Sequence, residues 1–315
     1  MNHSEGREQR TMATWLGAYI DVENLSQTVA QYYELIKPRI ALLIVISTSV
    51  GYSYGVGQHF NLVTFFHALL GTALMAAGSA TLNQWYERDL DALMTRTKMR
   101  PIPVGTITPA NALTFGIATS VIGVLELLIF VNALAAGLGL LTSIGYLFAY
   151  TPLKRKGPIC TTIGAFPGAM PPLIGYAAAS GHLTVEAWVL FAILFLWQFP
   201  HFHAIAWLYR EEYERAGIKM LAVVKPFGNA LRFEIMAALV LLIPATLAPS
   251  FLHMAGKIYF AAAIVLNLAF LYFGVQMSRD HNRPHARKLL LASVIYVPLL
   301  FAFLVIDNPR FAAMF

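Results

Sequence analysis

The stretch Leu82–Pro101, LNQWYERDLDALMTRTKMRP, closes a long apolar run with a dense set of oxygen and guanidinium groups. Asn83, Glu87 and Asp91 recur every four residues, so on a helix they stack along one face, with Asp89 just off it. A stack of oxygen ligands suits a hard divalent cation such as magnesium. Arg96 and Arg100, again four apart, follow at once, and guanidinium groups suit phosphate oxygens. The combination implies a site for a metal-bound diphosphate, placed where a membrane helix meets water. A mixed-charge helix end would supply some of these residues without a site. It does not account for three oxygen groups in register followed by two arginines in register.

Three further groups carry chemistry. Tyr150 and Lys154 lie four apart, with Arg155 next, although Pro152 stands between them and is able to end the helix. Lys154 and Arg155 suit diphosphate oxygens; their alternative is ordinary topology charge. His201 and His203 fall near the end of an apolar run, in WQFPHFHAIAW. Residues two apart on a helix point about 200° from one another, so both cannot serve one ligand. An intramembrane histidine is a functional hypothesis, against the plain reading of a packed polar residue. His201 is favoured over His203 because it follows Pro200, where the helix is loosened, with the apolar and aromatic Trp197, Phe199 and Phe202 beside it. Finally Tyr209–Leu221, YREEYERAGIKML, holds the carboxylates Glu211 and Glu212, with a solvated loop as its alternative. Glu126, near the end of another apolar run, has no evident cationic partner in the sequence.

These groups need elements to hold them. The chain has 315 residues, 58% hydrophobic and only 12% charged, with a mean hydropathy of +0.62. A soluble domain carries about 25% charged residues, so the composition describes a polytopic membrane protein. Apolar runs recur near residues 40–56, 62–82, 110–131, 133–150, 159–179, 185–208, 235–251, 258–277 and 289–306. Most approach the roughly 20 residues that cross a bilayer as helix, and they exclude a β-barrel by length. The expectation is an all-α protein of nine transmembrane helices around a central cavity open to the cytoplasmic side. The fifth run, with Gly164, Pro167, Gly168, Pro171, Pro172 and Gly175, predicts a kinked helix lining that cavity or a packing kink.

Lys and Arg gather before the first run and after the second, fourth, sixth and eighth, while the opposite loops hold only Lys257. The positive-inside rule then predicts a cytoplasmic N-terminus and an outer C-terminus. Topology thus explains the pI of about 9.4, and nucleic acid is not called for. Residues 1–34 form a polar N-terminal cytoplasmic segment, 35–306 the nine-helix domain and 307–315 a short tail. Residues 1–34 lack a secretory apolar core, and their acidic residues argue against a mitochondrial transit peptide. A bacterial plasma (inner) membrane is the simplest location. Cys160, the only cysteine, allows no intrachain disulfide.

The spacing Asn-x3-Glu-x3-Asp followed by Arg-Thr-x-x-Arg-Pro resembles the first signature of the intramembrane aromatic prenyltransferase superfamily. Within it, the stretches DLDALMTRTKMRP (89–101), YTPLKR (150–155), GAMPPLIG (168–175) and WQFPHFHAIAW (197–207) resemble the protoheme IX farnesyltransferase branch, over roughly residues 35–306. The resemblance implies two helix bundles facing a shared cavity. It also implies farnesyl transfer from farnesyl diphosphate to a vinyl group of haem B, giving haem O for haem-copper oxidases. Magnesium on Asn83, Glu87 and Asp91 is the implied cofactor. Arg96, Arg100, Lys154 and Tyr150 are implied at the diphosphate, with Arg155 beside them. Trp197, His201, His203 and Glu212 are further substrate-binding candidates, His201 as an axial haem ligand or a propionate partner with Trp197, Phe199 and Phe202 covering a porphyrin face, and a downstream haem A synthase is a candidate partner. One departure concerns the second Asp-x3-Asp motif of many members: aligned on Gly217, its aspartate positions hold Tyr209 and Tyr213 here. A second metal near Glu211 and Glu212 therefore stays open. The rival expectations are a prenyltransferase for a quinone precursor or chlorophyllide, a transporter of haem or another anion, and a passive haem-binding scaffold.

Overall fold

The computed structural model describes residues 25–57 and 59–309, and the described residues are all-α. Eleven helices carry the fold: α1 (Leu25–Leu35), α2 (Pro38–Gly55), α3 (Leu62–Asp91), α4 (Pro109–Phe130), α5 (Ala133–Leu153), α6 (Cys160–Ala169), α7 (Pro171–Ser180), α8 (Val185–Leu208), α9 (Asn229–Phe251), α10 (Lys257–Arg279) and α11 (Arg283–Ile306). Among the described residues seven helices are long and apolar enough to cross a membrane, and the pair α1–α2, bent by 55°, raises the number to eight. The protein is a polytopic helical membrane protein. The run at 159–179 is absent from that number because it is two ten-residue helices, broken at Met170 where Pro171 and Pro172 follow. Proline has no N–H to donate and crowds the carbonyl one turn back, so the helical ladder lapses there although Met170 keeps right-handed helical dihedrals.

Helices outlast the apolar runs that announced them. α3 has 30 residues, about 45 Å at 1.5 Å per residue, against a hydrocarbon core of about 30 Å. Its charged last turns therefore extend beyond the apolar slab while the backbone ladder continues. Side chains close the exposed ends: Asn61 accepts from Val63 N and Thr64 N at the start of α3, and Asn132 accepts from Ala135 N at the start of α5. Asn132 also donates through Nδ2 to the Ala177 carbonyl at 2.8 Å, tying the start of α5 to the end of α7.

Pro152 does not end α5. Residues Gly145–Tyr150 form a π-helical stretch, after which Thr151–Leu153 is α-helical. The wider turn absorbs the missing donor of Pro152, and Thr151 Oγ1 donates to the Tyr146 carbonyl at 2.8 Å. This register change sets where Tyr150 and Lys154 point.

α3 packs closely on α4, where glycines seven residues apart on each helix (Gly71 and Gly78; Gly116 and Gly123) bring the backbones together. α2 lies along α7, α8 along α9 and α11, and α10 bridges α9 and α11. Glu126 of α4 does have a partner: its carboxylate is 2.6 Å from Nδ1 of His67 on α3. The contact spans 59 positions, so helix packing and not local sequence creates it.

Candidate active site

The oxygen ladder continues the wall of a cavity. Met75 and Ser79 of α3 line a cavity of about 370 Å³, and Asn83, Glu87 and Asp91 extend the same four-residue series to the end of that helix. All three are buried, at 2%, 8% and 1% exposure. The cost of burying such groups is met by three cations from three separate segments. Lys37 Nζ donates to Asn83 Oδ1 at 3.0 Å. Lys154 Nζ donates to both Glu87 oxygens at 2.8 and 3.0 Å. Arg100 Nη1 donates to Asp91 Oδ2 at 2.6 Å. Asn83 also donates through Nδ2 to Thr151 Oγ1, which fixes its carbonyl toward Lys37.

Sequence reasoning missed Lys37, treating it as topology charge. It sits between α1 and α2 with φ 51°, a left-handed conformation that costs a non-glycine residue energy. The signal available was its place directly before Pro38, where the chain must turn into a helix. Burial alone would lower Lys154, but Tyr150 and then Glu87 outweigh it and raise that group. The Lys154 ammonium stands 4.6 Å from the Tyr150 ring centroid, a cation–π distance.

The remaining predicted residues divide. Arg96 is exposed; its guanidinium lies 5.2 Å over the Tyr209 ring and its backbone N donates to Glu212 Oε2 at 3.2 Å. The loop after α8 thus folds onto the loop after α3, bringing Glu212 to the rim of the ladder and not to the ladder itself. Lys219 N donates to the Lys154 carbonyl at 2.7 Å and strengthens that junction. Arg155 is exposed and lies outside the cavity lining. Glu211 pairs with Arg210 at 3.3 Å.

The cavity is walled by α2, α3, α5, the α6–α7 break and α8, mostly with apolar side chains. Tyr146 and Tyr150 stand on the ladder side, while Trp197, Gln198, His201 and Phe202 of α8 form another wall. The two histidines point apart. His201 lines the cavity, stacked on Trp197 with ring centroids 4.7 Å apart. His203 is fully buried against α9, with Nε2 2.8 Å from Glu234 Oε2, and takes no part in the lining.

Among the described residues no cluster of three His, Cys, Asp or Glu side chains would hold a metal by itself. The ladder supplies two carboxylates and one amide oxygen. That hard-oxygen set fits magnesium, which characteristically takes one or two carboxylates and completes its shell with water and substrate phosphates.

A model of the UbiA prenyltransferase family matches residues 44–304. The chain belongs to this family. It is 49% identical over 287 residues to a protoheme IX farnesyltransferase of Solibacter usitatus (strain Ellin6076), covering 88% of this chain and 98% of that protein. It is 46% identical to a protoheme IX farnesyltransferase of Koribacter versatilis (strain Ellin345), covering 90% and 95%. A solved structure from work on digeranylgeranylglyceryl phosphate synthase superposes with TM-score 0.75 at 17% identity, covering 89% of this chain and 98% of that one. A UbiA homolog from Archaeoglobus fulgidus bound to GPP and Mg2+ superposes with TM-score 0.59 at 17% identity, covering 87% and 99%. At such identity these two likenesses concern the UbiA fold alone.

In this UbiA-family chain Lys37 offers a cation at the junction of cavity and ladder. Replacing it with methionine is expected to weaken binding of a non-hydrolysable prenyl diphosphate analogue by about ten- to a hundredfold, the effect of one charged hydrogen bond. Titration of the analogue into purified wild type and Lys37→Met checks this; equal affinities would remove Lys37 from the site.

Proposed function

We propose that the chain transfers the farnesyl group of farnesyl diphosphate to a vinyl group of protoheme IX (haem B), forming haem O and releasing diphosphate, for haem-copper oxidase cofactor synthesis. One observation carries the reading furthest. A buried ladder of two carboxylates and an amide, each held by a cation, continues the helix face on which Met75 and Ser79 line an apolar cavity with aromatic walls, and its capping Lys37 lines that cavity too. That pairing of a polar head site with an apolar chamber matches an isoprenoid diphosphate. The names of the relatives add the acceptor.

Asn83, Glu87 and Asp91 would hold magnesium, which supplies Lewis acidity toward the departing diphosphate. The cations that now cap the ladder, Lys37, Lys154 and Arg100, are placed to turn to phosphate oxygens as negative charge builds on them. Arg96 reaches the outer phosphate from the loop. Tyr146 and Tyr150 face the allylic cation at the mouth of the cavity, where an aromatic face stabilises positive charge. The isoprenoid tail lies among the apolar residues of α2, α3 and α7. Trp197 and His201 on the α8 wall serve the haem, with Phe202 covering a porphyrin face. The test combines membranes holding the protein with haem B, farnesyl diphosphate and magnesium, then separates the haem pigments by chromatography. A farnesylated pigment that requires magnesium is expected; transport of haem without a new pigment would reject the reading.

We also propose nine crossings, with the broken pair α6–α7 making the fifth. The chain then lies in a bacterial inner membrane with its N-terminus and the cavity mouth on the cytoplasmic side and its C-terminus outside, in line with its Lys and Arg segregation. A downstream haem A synthase is the partner expected for the product. Reporter fusions after Gly57 and at the C-terminus are expected to report an outer location; a cytoplasmic C-terminus would overturn this topology.

A further inference from the structure

His201 does more than line the cavity, because its tautomer is determined by its neighbours. Ser293 of α11 is fully buried and its single hydroxyl proton goes to the Leu290 carbonyl, 2.6 Å away. Ser293 Oγ is also 2.7 Å from His201 Nδ1. With its own proton committed, the hydroxyl accepts there, so Nδ1 carries the imidazole hydrogen. Nε2 is then the nitrogen with the free lone pair, on a side chain that lines the cavity. The Ser293 carbonyl meanwhile accepts from Trp197 Nε1 at 2.9 Å, so this one residue orients both stacked rings.

A second acceptor stands one turn away. Gln198 donates both of its amide hydrogens, to the Ala165 carbonyl at 3.0 Å and the Leu194 carbonyl at 3.1 Å. Its Oε1 is left as an acceptor, lying over Gly168, where any Cβ would collide with that oxygen. Gln198 and His201 both line the cavity and are neighbours on the helix at i and i+3. A water that gives one hydrogen to each acceptor presents its oxygen lone pair to the chamber.

We propose that Gln198 and His201 hold the water that completes farnesyl transfer, with His201 Nε2 taking its proton. The proposal rests on the prenyl-transfer reading above. In that reaction the outer vinyl carbon bonds to C1 of the farnesyl group as the C1–O bond to diphosphate breaks. The inner vinyl carbon is left as a cation beside the porphyrin. The water oxygen bonds to that carbon, one proton passes to His201 Nε2, and the imidazolium returns it to solvent or to the released diphosphate. Haem, farnesyl diphosphate and water thus become a hydroxylated farnesyl haem, diphosphate and a proton, with no oxidant needed. His201 is a catalytic residue in this scheme; Gln198 and Ser293 are positioning residues.

The full-length protein in membranes, given haem B, farnesyl diphosphate and magnesium, provides the test, with pigments separated and weighed by mass spectrometry. In His201→Ala the ratio of hydroxylated product to the adduct lighter by one water is expected to fall about 100-fold, the low end of what a placed acid–base group contributes. Gln198→Leu and Ser293→Ala should move the same ratio in the same direction while diphosphate release continues, which a purely structural role would not produce. An unchanged ratio in all three variants would overturn the assignment. So would loss of a haem iron absorption signature in His201→Ala with no change in the ratio, which would make His201 an iron ligand instead. A wild-type protein forming no farnesylated haem of either mass would overturn the prenyl-transfer reading itself.

Discussion

Asp91→Asn and Glu87→Gln are each expected to lower turnover by about 100- to 1000-fold, the range for removing one placed electrostatic group from an active site. Both carboxylates are buried on the ladder face of α3, and both are held by cations: Asp91 by Arg100 at 2.6 Å and Glu87 by Lys154 at 2.8 Å. In the proposed site, loss of the negative charge removes a magnesium ligand; in any case it leaves a partly buried cation without its counter-charge. The second consequence bears on stability, since breaking a buried pair by removing one partner costs about 3–5 kcal/mol. The two effects separate experimentally. Inserted protein is measured in membrane fractions, and turnover is followed against magnesium concentration. The ligand role predicts inserted protein with a rightward or abolished magnesium dependence, and Lys98→Ala, an exposed charge on the same loop, serves as control. Normal turnover with normal magnesium dependence in both carboxylate variants would remove the metal from this ladder.

The second large effect concerns how α2 is held. A Cβ added at Gly175 of α7 would overlap the Thr48 carbonyl, and one added at Gly51 of α2 would overlap the Pro172 carbonyl. The obstacles are backbone atoms, which cannot rotate aside as a side chain does. Gly175→Ala and Gly51→Ala therefore force α2 and α7 apart, and each is expected to destabilise the fold by about 1–3 kcal/mol, as overpacking does. Because α2 begins next to Lys37 and supplies a cavity wall, activity should fall with stability. Thermal unfolding in detergent, beside diphosphate release, measures both. Gly137→Ala, where an added Cβ meets nothing within 4 Å, is the control and should be neutral or stabilising. Equal melting temperatures for all three would show that the α2–α7 contact is not tight.

Much of this arrangement is local and so was visible in the chain itself. The four-residue spacing of Asn83, Glu87 and Asp91 fixes their common face on any helix, whatever surrounds it. Apolar run lengths and the one-sided placement of Lys and Arg imply a polytopic helical protein in the same local way. The proline- and glycine-rich run at 159–179 implied a kinked helix, and the helical ladder is interrupted at Met170. The 200° between His201 and His203 implied that only one would meet a given ligand, and only His201 lines the cavity.

Tertiary structure decided what helical periodicity leaves open, namely which neighbour each face meets. Lys37 reaches Asn83 across 46 positions and Lys154 reaches Glu87 across 67, and no spacing rule relates such residues. The same holds for Ser293, which sets His201 from 92 positions away, and for His67, which supplies the partner Glu126 lacked in the sequence. Pro152 would end most helices, yet after a π-helical stretch α5 continues to Leu153, which places Lys154 against Glu87 and the Tyr150 ring. Arg96, Arg155 and Glu212 share the composition of site residues, but the loops carry Arg155 to the surface and Arg96 and Glu212 to the rim of the ladder. Sequence spacing along one helix determined the ladder; the packing of separate helices determined which charges close on it, because that depends on contacts between segments far apart in the chain.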